Sequence, residues 1–203
     1  PSVGPRTVTV RDEKVREPSL QRAYLVPSAT TGEPGEADAL DVLSDILGGG
    51  ATSRFYDRLV RGGDVATQAS AYYRSRSIDD TQFVIYGVPK PGKSLRDLEA
   101  EMEAVIAEIR ENGVTEEELN RAKQSVIVQA IYSQDSQQEM ARIVGSALMT
   151  GRTLEDVQTW PERIQGVTLE AVQDAARKYL DVDRSVTGYL ELKAGPTDGG
   201  GKS

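Results

Sequence analysis

The stretch DILGGGATSRFYDRLVR, from Asp45 to Arg61, decides the fold because three consecutive glycines separate two segments of helical character. The segment before the glycines carries apolar residues three or four positions apart, which predicts an amphipathic helix that ends at Gly48. These residues are Ala37, Leu40, Leu43 and Leu47. Thr52 or Ser53 offers the N-cap of a second, short helix that runs through Val60. The glycine run is therefore predicted to join two helices.

The three glycines raise the question of whether this loop binds a phosphate. A phosphate-binding loop normally follows a strand and carries a lysine, whereas here a helix precedes the glycines and no lysine follows in the stretch. Glycine adopts positive φ without a steric penalty, so the run lets two helices fold back closely. We interpret the run as a hinge, and an anion site at the N-terminus of the next helix is the alternative.

Runs of β-branched and apolar residues predict the strands of one sheet. Leu20–Ser28 is typical of a buried strand, and Arg6–Val15 alternates enough for one short strand. Val65–Arg76 alternates and, after a turn at SIDD, Thr81–Val88 runs back, which predicts a hairpin. Arg184–Leu190 is predicted to be the last strand.

The region between the hairpin and the last strand is predicted to be helical, with capping boxes at Ser94/Asp97 and Thr115/Glu118. Strands and helices are thus partly segregated, which favours an α+β, two-layer fold with a mixed or antiparallel sheet and helices packed on one face. We divide the chain into an N-terminal arm with at most one short strand (residues 1–17), an α+β domain (residues 18–192) and a disordered tail (residues 193–203).

Composition excludes several classes of function. The net charge of −8 argues against nucleic acid or an anionic membrane as partner, because clustered lysine and arginine bind both. No apolar run approaches the roughly 20 residues of a bilayer span. The chain has no histidine and no cysteine, so it cannot build a Ser-His or Cys-His catalytic pair or a histidine zinc site. It begins at Pro1 rather than Met, and we expect a piece of a longer protein.

One set of polar side chains is a candidate for substrate contact. Gln68, Ser70, Tyr72 and Arg74 share one side of the alternating strand, and tyrosine with arginine is favoured at contact surfaces. The alternative is that they face bulk water, as one side of a two-layer sheet usually does. The many glutamates are explained by helix N-termini and solvated helix faces. No catalytic and no metal-binding residue is therefore predicted in this chain.

Longer segments resemble the second half of zinc peptidases of the pitrilysin/insulinase family, which includes mitochondrial processing peptidase. The resemblance covers about residues 18 to 192 and rests on LGGGATSRFY (Leu47–Tyr56), GVTEEELNRAK (Gly113–Lys123) and the closing VTGYL (Val186–Leu190). It implies two similar α+β halves around a chamber, with the inverted zinc motif His-x-x-Glu-His in the N-terminal half. A chain without histidine then corresponds to the half without metal, and zinc belongs to the missing N-terminal half.

The resemblance also bears on how substrate is held. The second half often supplies an arginine and a tyrosine that hold the substrate backbone near the zinc. Counted from Ser53 and Arg54, these positions here hold Val60 and Thr67, and neither residue can replace its counterpart. The resemblance therefore implies a homologous partner subunit, metal-free and supplying the pair, or a homodimer. Bacterial members of the family are often exported to the periplasm.

The hypothesis is the C-terminal half of a zinc metalloendopeptidase, inactive alone, that forms one wall of a peptide-binding chamber and a subunit contact. Its expected partners are the zinc-bearing half, a related subunit and peptide substrates. One alternative is a non-proteolytic core subunit of the same fold. The other is an unrelated small-molecule-binding α+β domain, for which the sequence reveals no convergent polar pocket.

Overall fold

A five-stranded mixed sheet forms one layer of the molecule. The computed structural model describes residues 4–134 and 136–193, without the side chains of residues 133 and 134. The strands are β1 (Arg6–Asp12), β2 (Ser19–Val26), β3 (Ala66–Tyr73), β4 (Thr81–Pro89) and β5 (Ser185–Leu192). Their order is β1-β5-β2-β4-β3, in which β1 and β5 are parallel and all other neighbours are antiparallel. The predicted hairpin is confirmed as β3–β4.

Helices form the second layer and lie on one face of the sheet, as the sequence predicts. They are α1 (Glu36–Gly48), α2 (Leu95–Asn112), α3 (Glu116–Gln134), α4 (Gln137–Met149), α5 (Leu154–Gln158), α6 (Trp160–Gly166) and α7 (Leu169–Tyr179). A π-helix (Tyr56–Arg61) follows α1, and a short 3-10 helix (Val182–Arg184) precedes β5. The helices α1, α2 and α7 contact the strands directly. The α+β, two-layer prediction is therefore confirmed.

The core lies between the sheet and these helices. Alternate residues of β2 and β4 point toward the helices and meet the apolar stripe of α1, all of whose predicted members are buried. Fully buried side chains include Leu20, Tyr24, Leu40, Leu43, Leu47, Phe83, Ile85, Leu98, Met102 and Ile106. Within the described residues, no helix covers the opposite face of the sheet.

The glycine run ends α1 and turns the chain into the π-helix. Gly48 packs so closely on β3 that a Cβ there would lie 1.9 Å from the amide nitrogen of Ala71. Gly50 has a φ of 149°, which favours glycine. The helix predicted through Val60 exists, but Tyr56–Arg61 adopts π rather than α hydrogen bonding, and the amide of Gly62 donates to the carbonyl of Asp57. The hinge interpretation therefore agrees with the structure.

Arg54, in the Ser53-Arg54 dipeptide after the glycines, connects two parts of the fold through hydrogen bonds. The guanidinium of Arg54 donates to both carboxylate oxygens of Glu118, at 2.7 and 2.9 Å, and to the carbonyl of Gly113. The same carboxylate completes the predicted capping box by accepting from the Thr115 amide at 2.8 Å. Although burial opposes ionisation, these bonds hold the pKa of Glu118 at about 2. Arg54 thereby ties the turn between α2 and α3 to the glycine hinge.

Two predictions at the chain ends concern β1 and the tail. The short strand predicted within the arm at residues 1–17 is β1, and it pairs with β5 along its whole length. The predicted tail at residues 193–203 lies outside the described residues, apart from Lys193.

A bulge shifts the register of β3 between Ala66 and Gln68, so the predicted alternation is broken at its start. Ala66 is consequently buried, and Thr67 is exposed. From Gln68 onward the strand follows the predicted two faces.

Candidate functional site

The uncovered face of the sheet is the first candidate site, and we call it the open face. Side chains on this face alternate with the helix-facing ones of the same strands. Several are large, apolar and exposed, whereas Val84 and Val88 of β4 are buried. Val8, Val10, Leu25, Val186 and Leu190 are exposed by 37 to 63%. These residues and neighbouring polar side chains line a groove of about 870 Å³ over β1, β5 and β2. Its polar lining includes Arg6, Gln21, Gln82, Tyr86 and Arg184.

Three of the four predicted contact residues share the open face. Gln68, Ser70 and Tyr72 stand on β3 opposite Val88, Tyr86 and Val84 of β4. Arg74 follows the end of β3, and its guanidinium carbon lies 5.8 Å from the centroid of the Tyr72 ring. The four residues flank the groove instead of lining it, because the groove is centred on β5 and β2. Their contact with a substrate stays a prediction.

The two positions at which the family resemblance implies an arginine and a tyrosine lie apart from this groove. Val60 is half-buried in the π-helix and packs against the core. Thr67 is exposed at the bulge of β3, where its hydroxyl donates to the carbonyl of Val88 at 3.4 Å. Neither side chain carries a group that could hold a peptide backbone as those two residues would.

A second candidate is a polar cavity of about 300 Å³ on the helical side, which we call the Asp41 cavity. Its walls come from α1, α3, α4, α5 and α6 and from the segment after β3. Its charged lining comprises Asp38, Asp41, Arg76, Glu139, Arg152, Asp156 and Arg163. The sequence offered one signal for this site: Asp41 follows Ala37 by four residues and therefore lies at the border of the apolar stripe of α1.

Asp41 has an unusual electrostatic environment. Asp41 lines the cavity, and burial together with the nearby Asp38 carboxylate raises the pKa of Asp41 to about 7. The Trp160 indole and the guanidinium groups of Arg76 and Arg152 lower this pKa without cancelling the increase. Asp41 is thus a carboxyl group that titrates near neutral pH in a cavity containing cations.

We expect Asp41→Asn to stabilise the protein above neutral pH. The unfolded carboxyl ionises near its ordinary value of 3.8, whereas the folded one keeps its proton up to about pH 7. As the pH rises from the unfolded pKa to the folded pKa, the free energy of unfolding of the parent protein therefore decreases. The variant has no ionisable group at position 41 and does not show this decrease. The variant should gain roughly 2 to 4 kcal/mol at pH 8 and little at pH 4.

Urea unfolding of both proteins at pH 4, 6 and 8 measures this difference. Glu170→Gln, at an exposed carboxyl on α7, is the matched control and should show no such pH dependence. An equal gain for Asp41→Asn at pH 4 and pH 8 would contradict the assignment.

The described residues do not fit a zinc ion. No group of three or more aspartate, glutamate, histidine or cysteine side chains in residues 4–134 and 136–193 is arranged to hold a metal. The complete sequence, moreover, contains neither histidine nor cysteine. Among the helices described, none is both long and apolar enough to cross a membrane.

A mixed five-stranded sheet with helices packed on one face defines an α+β domain. The sequence matches the model of the Peptidase M16 inactive domain over residues 1–126. This match covers more than half of the 203 residues, and the chain therefore belongs to this family. The resemblance to the second half of zinc peptidases is thereby confirmed.

Individual relatives agree with this assignment. The chain is 24% identical to the uncharacterized zinc protease YmxG of Bacillus subtilis over 177 residues, which cover 85% of this chain and 42% of YmxG. The fold matches a protease from Helicobacter pylori with a TM-score of 0.82, 22% identity and coverage of 93% of this chain and 44% of the other. It also matches a peptidase M16 inactive domain structure from Pseudomonas fluorescens, with a TM-score of 0.78, 21% identity and coverage of 96% and 44%. The chain thus spans less than half the length of these relatives.

Proposed function

We propose that this domain forms one wall of the peptide-binding chamber of a zinc metalloprotease, with its open face turned toward the substrate. The observation that carries the proposal is the open face itself, where Leu25 and Val8 are exposed by 63 and 55%. Contiguous apolar surface of this kind marks a binding surface in soluble proteins. An extended peptide presents alternating side chains and backbone polar groups, for which a groove of mixed apolar and polar lining is suited.

The catalytic metal belongs, in this proposal, to a second half that this chain does not contain. The chain has no histidine, whereas the family's zinc motif requires two. The relatives are more than twice as long as the part that this chain matches, which leaves room for such a half. The domain then contributes enclosure and substrate contact, while its partner contributes hydrolysis.

Exposed apolar side chains on two helices support the proposal that this domain also contacts another subunit or half. They belong to α3 and α4 and are exposed by 46 to 82%. They are Val128, Ile131, Tyr132, Leu148 and Met149. Large exposed apolar patches on helices are typical of protein–protein contacts.

Photocrosslinking tests whether the open face contacts peptide. A photoreactive phenylalanine at Leu25 of the 203-residue chain should capture an unfolded, labelled peptide, and the peptide should remain uncleaved with or without added zinc. The matched control places the same residue at Glu101, which is exposed on the outer side of α2. Equal capture at both positions would contradict the role of the open face, and chelator-sensitive cleavage by this chain would contradict the absence of catalysis.

A further inference from the structure

The Asp41 cavity is lined by charged groups of both signs that lack ion-pair partners within the part of the chain that the structure describes. Asp38 is neutralised by Arg163, whose Nε lies 3.0 Å from its Oδ2. Asp41 and Arg76, in contrast, form no ion pair with any of the described residues, although each lies close enough to affect the other electrostatically. The Asp41 carboxylate, which accepts a hydrogen bond from the Trp160 indole, and the exposed Arg76 guanidinium thus line one cavity without an ion-pair partner among the described residues.

Arg163, which also lines the cavity, has an unused hydrogen-bond donor. Its Nε donates to Asp38, and its Nη1 donates to the Asp156 carbonyl at 3.1 Å and to the Thr159 hydroxyl at 2.9 Å. Its Nη2 is buried and has no acceptor among the described residues. A buried charged donor without an acceptor is strongly unfavourable. A ligand that offers a carboxylate oxygen would remove this penalty.

Apart from Ser75 and Gln129, the remaining wall is apolar, and it limits the size of the occupant. Its apolar members are Ala29, Ala37, Val126, Ala130, Met140, Ile143, Ala147, Val157, Trp160 and Pro161. The volume of about 300 Å³ lies at the lower end of the range for small-molecule pockets, roughly 300 to 1,000 Å³. The cavity therefore suits a ligand with a few polar atoms and one modest apolar side chain.

We propose that the Asp41 cavity binds a small zwitterion, namely a free α-amino acid or a dipeptide with an apolar side chain. Its ammonium group pairs with Asp41, its carboxylate accepts from Arg76 and Arg163, and its side chain packs near Trp160. A simple anion would leave Asp41 unpaired, and a simple cation would leave the two guanidinium groups unpaired. The site lies on the helical side of the sheet, so its occupation does not depend on what the open face does.

Fluorescence titration tests this proposal directly, because Trp160 is the only tryptophan of the chain and lines the cavity. L-leucine and L-alanyl-L-leucine are titrated separately into the 203-residue protein at pH 8. We expect a saturable change in fluorescence with at least one of them. Comparison of the two affinities shows whether the cavity prefers a single amino acid or a dipeptide. The absence of a saturable change with both zwitterions would overturn the proposal.

Analogues that lack one charge test the two halves of the recognition. N-acetyl-L-leucine has no ammonium group and L-leucinamide has no carboxylate, so each should bind at least about tenfold more weakly than leucine. Binding of either analogue as tight as that of leucine would show a site for an anion or a cation and would overturn the proposal. If the dipeptide is the ligand, its acetylated and amidated forms serve the same purpose.

Variants assign the site to the cavity. Asp41→Asn should weaken binding by about tenfold or more, with a circular dichroism spectrum equal to that of the parent protein. Glu170→Gln is the control, since this exposed carboxyl on α7 lies outside the cavity lining, and it should leave the affinity unchanged. Unchanged affinity in Asp41→Asn would overturn the proposal.

Discussion

Gly48→Ala should unfold the domain or lower its free energy of unfolding by more than about 3 kcal/mol. A methyl group at this position would lie 1.9 Å from the Ala71 nitrogen and 2.5 Å from the Ser70 carbonyl carbon. Both atoms belong to the backbone of β3, which is fixed by its pairing with β4. The last turn of α1 would have to lift from the sheet and expose the core beneath it.

Thermal and urea unfolding followed by far-UV circular dichroism measure this effect. Gly145→Ala in α4 is the matched control, because a Cβ at Gly145 has no atom within 4 Å and alanine favours the helix by up to about 1 kcal/mol. Gly48→Ala should therefore lose stability while Gly145→Ala keeps or gains it. A melting temperature of Gly48→Ala within about 2 °C of that of the parent protein would contradict the close approach of α1 to β3.

Arg22→Met should destabilise the protein by roughly 3 kcal/mol, because it removes a buried cation from two carboxylates. Arg22 is 2% exposed on the helix-facing side of β2. It donates to Glu99 at 2.6 Å, to Glu103 and to the Thr187 hydroxyl at 2.9 Å. Without the guanidinium, the two partly buried carboxylates lose their counter-ion and repel each other.

The contrast with an exposed ion pair makes this prediction specific. Arg11 pairs with Glu191 at 2.8 Å between β1 and β5, but the two side chains are 63 and 36% exposed. Arg11→Met should therefore change the free energy of unfolding by less than about 1 kcal/mol. Urea unfolding of both variants at pH 7 measures the two changes in the free energy of unfolding. Equal changes would contradict the prediction that the buried ion pairs of Arg22 contribute more stability than the exposed pair of Arg11.

Local patterns in the sequence predicted much of the fold. The apolar stripe of α1, the glycines after it, the β3–β4 hairpin and the capping boxes all depend on residues a few positions apart, and short-range chemistry decides them. The bulge at Ala66 and the π-helix were missed because both depend on how a segment fits against its neighbours, β4 for the bulge and β3 with α2 for the π-helix. Local propensity contains no information about such a fit.

The two candidate sites differ in how far the sequence alone predicted them. Gln68, Ser70 and Tyr72 were placed on one face by the alternation of β3 alone. The Asp41 cavity was not predicted, because Asp41, Arg76, Arg152 and Arg163 are far apart in the chain and meet only after the helices pack. Each of these residues, taken singly, resembles an ordinary surface charge.

The position of β5 has a consequence for biosynthesis. Among the described strands, β5 is the last in sequence, yet it lies between β1 and β2 rather than at an edge. The ribosome makes β1 before the other described strands, and the only described neighbour of β1 is β5, at residues 185–192. Nascent chains that stop short of β5 therefore leave two strand edges unpaired, and such edges are where intermediates aggregate or recruit chaperones. This sheet is therefore complete only once β5 has left the ribosome.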